Sequence, residues 1–245
     1  MPGISAGGDS GQVPLDISVI VPVLNEAETI GRALRSARGA AVREVIVVDG
    51  GSDDATTDVA APLADRVVSA ARGRASQMNA GAEIARGAVM LFLHADTILP
   101  VGFDGAVLTA LRDRRYVGGR FDVTLAPRSP LLWLTGELMN VRSRWSRIAT
   151  GDQAIFVRRE VFQAIGGFPD IPLMEDIAFS RLLKRTGRIA CLRQRVRASS
   201  RRWRTNGILR TILLMWSLRL LYFCGVSPER LRRLYPDTRG SKAQE

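Results

Sequence analysis

The sequence predicts an α/β fold, with a mostly parallel sheet flanked by helices and an apolar helix near the C-terminus. Three observations lead to this prediction. Apolar, β-branched runs alternate with helical patterns from residue 17 onward. Polar residues follow the ends of those runs, where ligands bind in open parallel sheets. The 245 residues, 46% apolar and 24% charged, are enough for one large domain with a real core.

Four runs predict the parallel strands, because nearly continuous apolar runs are typical of strands that are buried on both faces. They are ISVIVPVL (17–24), EVIVVD (44–49), RVVSA (66–70) and AVMLFLHAD (88–96). Helical patterns follow at 25–37 and 76–87. In the first helix, Asn25 is predicted to be the N-cap, and Glu28, three residues later, to complete a capping box.

The rest of the chain is divided by changes in pattern. Residues 116–159 are predicted to be β-rich with an intervening helix, 151–168 to form strand, helix and turn, and 174–187 to form a helix. We therefore expect a flexible tail at 1–15, one domain at 16–205, and an apolar helix with a basic tail at 206–245.

Composition limits the function classes. The chain has 35 basic and 24 acidic residues, a net charge of +11, but nearly all the basic residues are arginine, which suggests compositional bias. Aromatic residues make up only 6%, without a stacking cluster, so nucleic acid is not an expected partner. Two cysteines exclude a disulfide framework and suit a reducing compartment. Without a signal-peptide pattern, we expect a cytoplasmic protein, with the inner face of the plasma membrane left open.

The segment VVDGGSDD (47–54) places an acid at the end of a buried strand. Asp49 can accept hydrogen bonds from a base or a sugar there, whereas Ser52, Asp53 and Asp54 suit the capping of a helix N-terminus. The two interpretations are compatible.

The segment HADT (94–97) contains the only histidine of the chain. His94 and Asp96 lie at i and i+2 on a strand end, point to one side, and can share a divalent cation. The alternative is an ordinary polar strand terminus. With one carboxylate and one imidazole, phosphates and water would complete the coordination, and the nitrogen donor shifts the preference from Mg²⁺ toward Mn²⁺.

Two further segments have a functional and an ordinary interpretation. Glu175 and Asp176 open a helix, where acids favour the helix dipole, but Asp176 also suits a general base that deprotonates an acceptor hydroxyl. In SSRRWRTNG (199–207), arginines beside Trp203 suit phosphate binding and ring stacking, or simply a solvated basic face.

Taken in order, these segments resemble family 2 glycosyltransferases, which have the GT-A fold. The resemblance covers about residues 17–204. The segments that carry it are SVIVPVLNEAETI, EVIVVDGGSDDAT, MNAGAEIARGAVMLFLHAD, GDQAIFVRREVFQAIGGF and MEDIAFSRLLKRTG.

The resemblance implies transfer of a single sugar from a nucleotide-diphosphate sugar to an acceptor hydroxyl, with the inversion usual in the family and with a divalent cation. It implies a donor site made of Pro22, Glu26, Asp49, Asn79, Gly81, His94, Ala95 and Asp96. Asp96 and His94 would hold the cation, and Asp176 with Glu175 would be catalytic. Gly151, Asp152, Arg202 and Trp203 would serve the acceptor or its phosphates.

Three positions depart from the family pattern. Gly50 replaces a second aspartate after Asp49, and His94 replaces the first aspartate of the DxD motif, as in a bacterial subgroup with HAD. Ser199 stands where processive members have the glutamine of QxxRW. The last departure argues for a single transferred sugar.

The apolar stretch from 208 to 223 is too short and too interrupted by arginine to span a bilayer. Two roles are expected for this stretch: packing on the domain or on a second copy, or peripheral contact with anionic lipid. A lipid-linked acceptor would also agree with its apolar character.

Two other functions are alternatives to glycosyl transfer. A sugar-phosphate nucleotidyltransferase would need a Gly-rich basic loop where LNEAET stands, and a non-enzymatic membrane-binding module has only the charge in its favour.

Overall fold

A computed structural model describes residues 15–126, 129–201 and 207–235. One eight-stranded mixed sheet, in the order β3-β2-β1-β4-β7-β6-β8-β5, forms its centre. The strands are β1 (Ile17–Val23), β2 (Val42–Asp49), β3 (Arg66–Ser69), β4 (Val89–Phe92), β5 (Thr97–Ile98), β6 (Tyr116–Ala126), β7 (Ile155–Arg158) and β8 (Arg188–Ser199).

Helices cover the sheet. In the described residues they are α1 (Ala27–Ser36), α2 (Thr56–Ala60), α3 (Arg74–Ile84), α4 (Phe103–Leu111), α5 (Pro130–Ser146), α6 (Arg159–Ala164), α7 (Glu175–Thr186), α8 (Ile208–Phe223) and α9 (Pro228–Leu234). A 3₁₀ turn (Gly151–Gln153) precedes β7. No helix in this part of the chain combines the length and the apolarity needed to cross a bilayer.

The four predicted strands are confirmed as the parallel half of the sheet, β3-β2-β1-β4. All seven residues of β1 are buried, as expected of a strand with helices on both faces. The other half is mixed, because β7 runs antiparallel to both β4 and β6 whereas β6 and β8 are parallel. The carboxyl ends of β1, β2 and β4 therefore meet at one edge.

Two core clusters lie on the two faces of the sheet. One contains Val19, Leu34 and Phe121, and the other contains Ile20, Phe92 and Phe179. A third, smaller cluster joins α8 and α9 to the start of α7 through Leu218, Leu231 and Met174. The two described helices beyond residue 205 thus pack on the main domain, and the division at residue 205 stays a prediction.

The predicted capping box at α1 is wrong. Asn25 has a positive φ of 53° and its side chain accepts a hydrogen bond from the Asp53 backbone N–H, 3.0 Å away. The α1 start is instead satisfied from the next turn of the sheet edge, since the N–H groups of Glu26 and Ala27 donate to Thr56 and Asp54. A tertiary contact replaces the local cap.

Candidate active site

A cleft of about 430 Å³ opens at the carboxyl edge of β1 and β4. It lies where the general rule for parallel sheets places ligands. Five predicted site residues line it, from three separate segments of the chain: Pro22, Glu26, His94, Ala95 and Glu175. Arg72 with the N-terminus of α3, residues 170–173, and Arg232 with Tyr235 also contribute to the wall.

Glu26 is a buried acid at the rim of the cleft, with only 2% of its surface exposed. Its carboxylate accepts hydrogen bonds from the Thr29 hydroxyl at 2.9 Å and from the Arg201 guanidinium at 3.0 Å. Charge-assisted bonds of this kind offset the desolvation of a buried carboxylate. Glu26 therefore holds Arg201 beside the cleft; Arg201 is the last described residue before the gap at 202–206.

Asp49 ends β2 with its carboxylate facing its own turn. The carboxylate accepts hydrogen bonds from the backbone N–H groups of Gly51 and Ser52, both at 3.0 Å. The side chain is therefore held in one orientation by the turn that follows it. Asp49 is absent from the lining of the cleft described above.

The presence of glycine at position 50 is explained by the neighbouring Gln77 side chain. The Gln77 amide of α3 donates to the carbonyls of Val23 and Val48 at 2.7 and 2.8 Å, joining the ends of β1 and β2. A Cβ at position 50 would lie 3.0 Å from that amide. Gln77 occupies the space that an aspartate side chain at position 50 would need. Glycine at position 50 therefore makes room for the glutamine at position 77.

His94 lies beside the 3₁₀ turn that carries Gly151 and Asp152. Its Nδ1 is 3.2 Å from the Asp152 Oδ1, and its side chain is 14% exposed. A Cβ at Gly151 would lie 2.3 Å from both Cε1 and Nε2 of the ring. The structure therefore brings the predicted donor residue His94 into contact with the two predicted acceptor residues.

Glu175 and Asp176 begin α7 and face different partners. Glu175 is buried and lies 3.4 Å from the Arg74 guanidinium. Burial raises the pKa of Glu175, the neighbouring charge of Asp176 adds to the rise, and Arg74 opposes it. The Asp176 carboxylate accepts hydrogen bonds from the N–H groups of Gly151 at 2.9 Å and Ile177 at 2.7 Å.

Arg74 is the electrostatic centre of the site, and the sequence interpretation missed it. Burial alone would lower its pKa, but the carboxylates of Glu175, Asp176, Asp152 and Asp96 outweigh burial and raise it. Four acids that the sequence predicts to have separate roles therefore all act on the Arg74 guanidinium. The signal was the ARGR segment at 71–74, three residues before the MNAG segment at 78–81.

Asn79 and Gly81 belong to α3 but are not among the residues that line the cleft. The Asn79 amide donates to the Phe168 carbonyl at 2.8 Å and accepts from the Phe168 N–H at 2.9 Å. A Cβ at Gly81 would lie 2.5 Å from the Ile20 side chain. These contacts explain both residues as packing and connection between α3 and its neighbours.

The remaining predicted residues divide into two groups. The Asp96 carbonyl accepts a hydrogen bond from the Ser199 N–H at 3.1 Å, which ties the HAD segment to the end of β8. Arg202 and Trp203 lie outside the described residues. Within the part of the chain that the structure describes, no three His, Cys, Asp or Glu side chains form a group able to hold a metal ion.

Comparison with known proteins assigns the chain to a family. The sequence profile of glycosyl transferase family 2 matches residues 18–168, more than half of the chain. The chain therefore belongs to glycosyl transferase family 2. The glycosyltransferase AglE of Haloferax volcanii is 26% identical over 181 residues, covering 63% of this chain and 56% of AglE. The chain thus spans little more than half the length of that relative.

Solved structures show the fold. A mannosyltransferase from Pyrobaculum calidifontis, in complex with GDP-Man and Mn²⁺, superposes with a TM-score of 0.62 at 22% identity, over 90% of this chain and 68% of that one. S. aureus TarS 1-349 in complex with UDP-GlcNAc gives 0.60 at 19% identity, over 76% and 59%. The predicted GT-A fold, a Rossmann-like mixed sheet flanked by helices, is confirmed.

Proposed function

We propose that the protein is a glycosyltransferase that transfers one sugar from a nucleotide-diphosphate sugar to an acceptor hydroxyl with inversion. The observation that supports this most is the convergence of Pro22, Glu26, His94 and Glu175 on one cleft at the sheet edge. They come from three segments far apart in the chain, and the family resemblance implies a donor or reaction role for each of them.

In the proposed reaction, an acceptor oxygen attacks the anomeric carbon of the donor. The bond from that carbon to the diphosphate oxygen breaks, and Asp176 takes the proton of the hydroxyl. The N–H groups of Gly151 and Ile177 fix the Asp176 carboxylate, which limits its rotation. The arginines Arg72, Arg74 and Arg232, which line the cleft, supply positive charge for the diphosphate.

The donor set of the site fits a divalent cation of the Mg²⁺ or Mn²⁺ type. Such ions bind proteins through one or two carboxylates and take the remaining ligands from substrate phosphates and water. Asp96 would be the carboxylate ligand. His94 is bonded to Asp152 through Nδ1, so only its other nitrogen is available to the cation. A bound cation would neutralise the departing diphosphate. We infer that HAD in place of DxD marks a subgroup of the family.

Two structural neighbours support a nucleotide-sugar donor, since one contains GDP-Man with Mn²⁺ and the other UDP-GlcNAc. For location we propose the cytoplasm, at the inner face of the membrane. The two cysteines are free thiols, as expected in a reducing compartment.

We further propose that α8 contacts an anionic membrane surface. Its exposed apolar residues recur at helical spacing along one face: Leu209, Leu213, Trp216, Leu220 and Phe223. The exposed Arg210 of α8, and Arg230 and Arg233 of α9, provide charge that complements anionic lipid. A lipid-linked acceptor would be reached from this face.

Thermal shift with UDP-, GDP- and dTDP-sugars, each with and without Mn²⁺, tests the donor assignment. We expect one nucleotide series to raise the melting temperature, and Mn²⁺ to increase the shift. Asp96→Ala should remove the Mn²⁺ effect, whereas Asp58→Ala, an exposed acid on α2, should keep it. No shift with any donor would favour a non-enzymatic binding module. A shift only with a sugar phosphate and a nucleoside triphosphate would favour a nucleotidyltransferase.

A further inference from the structure

Two arginines, from helices that do not line the cleft, lie near the start of α7, which carries the proposed base. Arg142 belongs to α5 and Arg219 to α8. Leu218, the neighbour of Arg219, packs in one cluster with Met174 and Ile177, which flank the acids at the start of α7. Ile148, just after α5, packs on the same cluster. The fold thus carries both arginines to the start of α7.

Both guanidinium groups have buried N–H groups that bond to nothing described. Nε and Nη2 of Arg142 and Nε of Arg219 are buried without a hydrogen-bond partner. Neither arginine forms an ion pair within 4.0 Å in the described part of the chain. Buried polar groups are normally satisfied, and an unpaired buried charge is costly. The unsatisfied N–H groups of Arg142 and Arg219 therefore indicate a site for a bound hydrogen-bond acceptor.

The surrounding charges point the same way. Burial and the neighbouring charge of Arg219 lower the pKa of Arg142 to about 10, while Asp176 acts to raise it. Burial also lowers the pKa of Arg219, and Asp176 and Asp152 oppose that effect. The two arginines are therefore close enough to repel each other and share Asp176 as a neighbour. An anion between them would relieve the repulsion.

We propose that Arg142 and Arg219 bind an anionic oxygen group, a phosphate or a carboxylate, of the acceptor. The inference rests on the proposed function, because it makes Asp176 the base for a hydroxyl on the same acceptor. Guanidinium groups suit this ligand, since their planar fork matches two oxygens of a phosphate or carboxylate. The acceptor class is thus a hydroxylated compound with a nearby negative charge.

The position of the pair favours the acceptor over the donor diphosphate. The cleft that contains Pro22, Glu26 and His94 has arginines of its own, and neither Arg142 nor Arg219 lines it. Both arginines instead share the proposed base Asp176 as a charged neighbour. Donor and acceptor charges would therefore be met by different sets of arginines.

Calorimetric titration of the full chain with inorganic phosphate tests the proposal. The titration is done on the apo protein and on protein saturated with UDP or GDP and Mn²⁺. We expect phosphate to bind in both states, and Arg219→Leu or Arg142→Leu to weaken it by roughly tenfold or more, since bonds to charged groups are strong. Arg219→Lys, which keeps the charge and loses the fork, should weaken it less.

Arg32→Leu is the matched control, because it makes the same substitution at an exposed helical site, on α1. Phosphate binding that responds equally to Arg219→Leu and Arg32→Leu would overturn the anion site. Competition between phosphate and the nucleoside diphosphate, with both weakened by Arg219→Leu, would assign the pair to the donor and overturn the acceptor proposal. Nucleoside diphosphate binding in the wild type reports the proposed function separately, and melting temperatures of the variants report folding.

Discussion

At the scale of single residues, the site is arranged by backbone N–H groups and close approaches as much as by charges. Gly151 contributes both, since its N–H binds Asp176 and its missing side chain leaves room for His94. A single position thus links the proposed base to the proposed cation ligand. Such a link was invisible in the sequence, where 94, 151 and 176 are far apart.

Asp176→Asn should lower the rate of nucleoside diphosphate release, from the donor that thermal shift selects, by roughly 10²–10⁴-fold. The amide keeps the size of the side chain but cannot take the proton. Glu175→Gln should reduce the rate less, because Glu175 acts on the site through Arg74. Equal losses in both variants would contradict Asp176 as the base. A larger loss for Glu175→Gln would assign that role to Glu175.

Gly151→Ala should displace the His94 ring, because its Cβ would lie 2.3 Å from Cε1 and Nε2. We expect weaker Mn²⁺-dependent binding of the nucleoside diphosphate, measured by calorimetry. Gly105→Ala is the control, since a Cβ at that position of α4 meets nothing within 4 Å. Unchanged Mn²⁺ dependence in Gly151→Ala would contradict the proposal that His94 is a cation ligand.

At the scale of elements, α3 is the connection between the sheet and the site. Gln77 binds the ends of β1 and β2, Gly81 allows the helix to approach Ile20, and Arg74 meets the acids of α7. One face of this helix packs on the sheet while its first turn lines the cleft. Asn79 extends the connection to the segment before α7.

Asn79→Ala tests whether this residue serves the donor or the fold. The substitution removes two hydrogen bonds to the Phe168 backbone, and an unsatisfied backbone group costs about 1–3 kcal/mol. We expect urea denaturation to show a loss of that size, with donor affinity little changed. A strong loss of donor affinity at unchanged stability would restore the predicted donor role.

At the scale of the whole molecule, apolar residues are exposed on two helices. Besides α8, the exposed residues of α5 include Trp133, Leu134, Leu138, Val141 and Trp145, which also share one helix face. Contiguous apolar surface of this kind marks an interaction site. A membrane and a second copy of the chain are the occupants to distinguish.

Replacing both Leu213 and Trp216 with glutamine should abolish most binding to vesicles of phosphatidylcholine with phosphatidylglycerol, measured by sedimentation. Both side chains are largely exposed, so folding should tolerate the change. Val101→Gln is the control, because Val101 is fully exposed elsewhere. If the wild type ignores the vesicles and light scattering shows a dimer that the double variant loses, the face binds a second copy.

The sequence alone determined the parallel strands and the position of the HAD and VDGG segments at their ends. Continuous apolar runs and strand-end polar residues are local signals, so the order of β1, α1, β2 and β4 was readable without a structure. The resemblance of the ordered segments supplied the family. It also supplied Glu26, His94 and Glu175, which the fold then brought to one cleft.

Only the tertiary structure decided which residues meet. The capping of α1 by Thr56 and Asp54, the pairing of His94 with Asp152, and the convergence of Arg74, Arg142 and Arg219 on the acids of α7 join segments far apart in the chain. It also showed the packing contacts of Asn79 and Gly81, whose predicted donor role stays a prediction. Such contacts depend on how helices cross a twisted sheet, which no local pattern specifies.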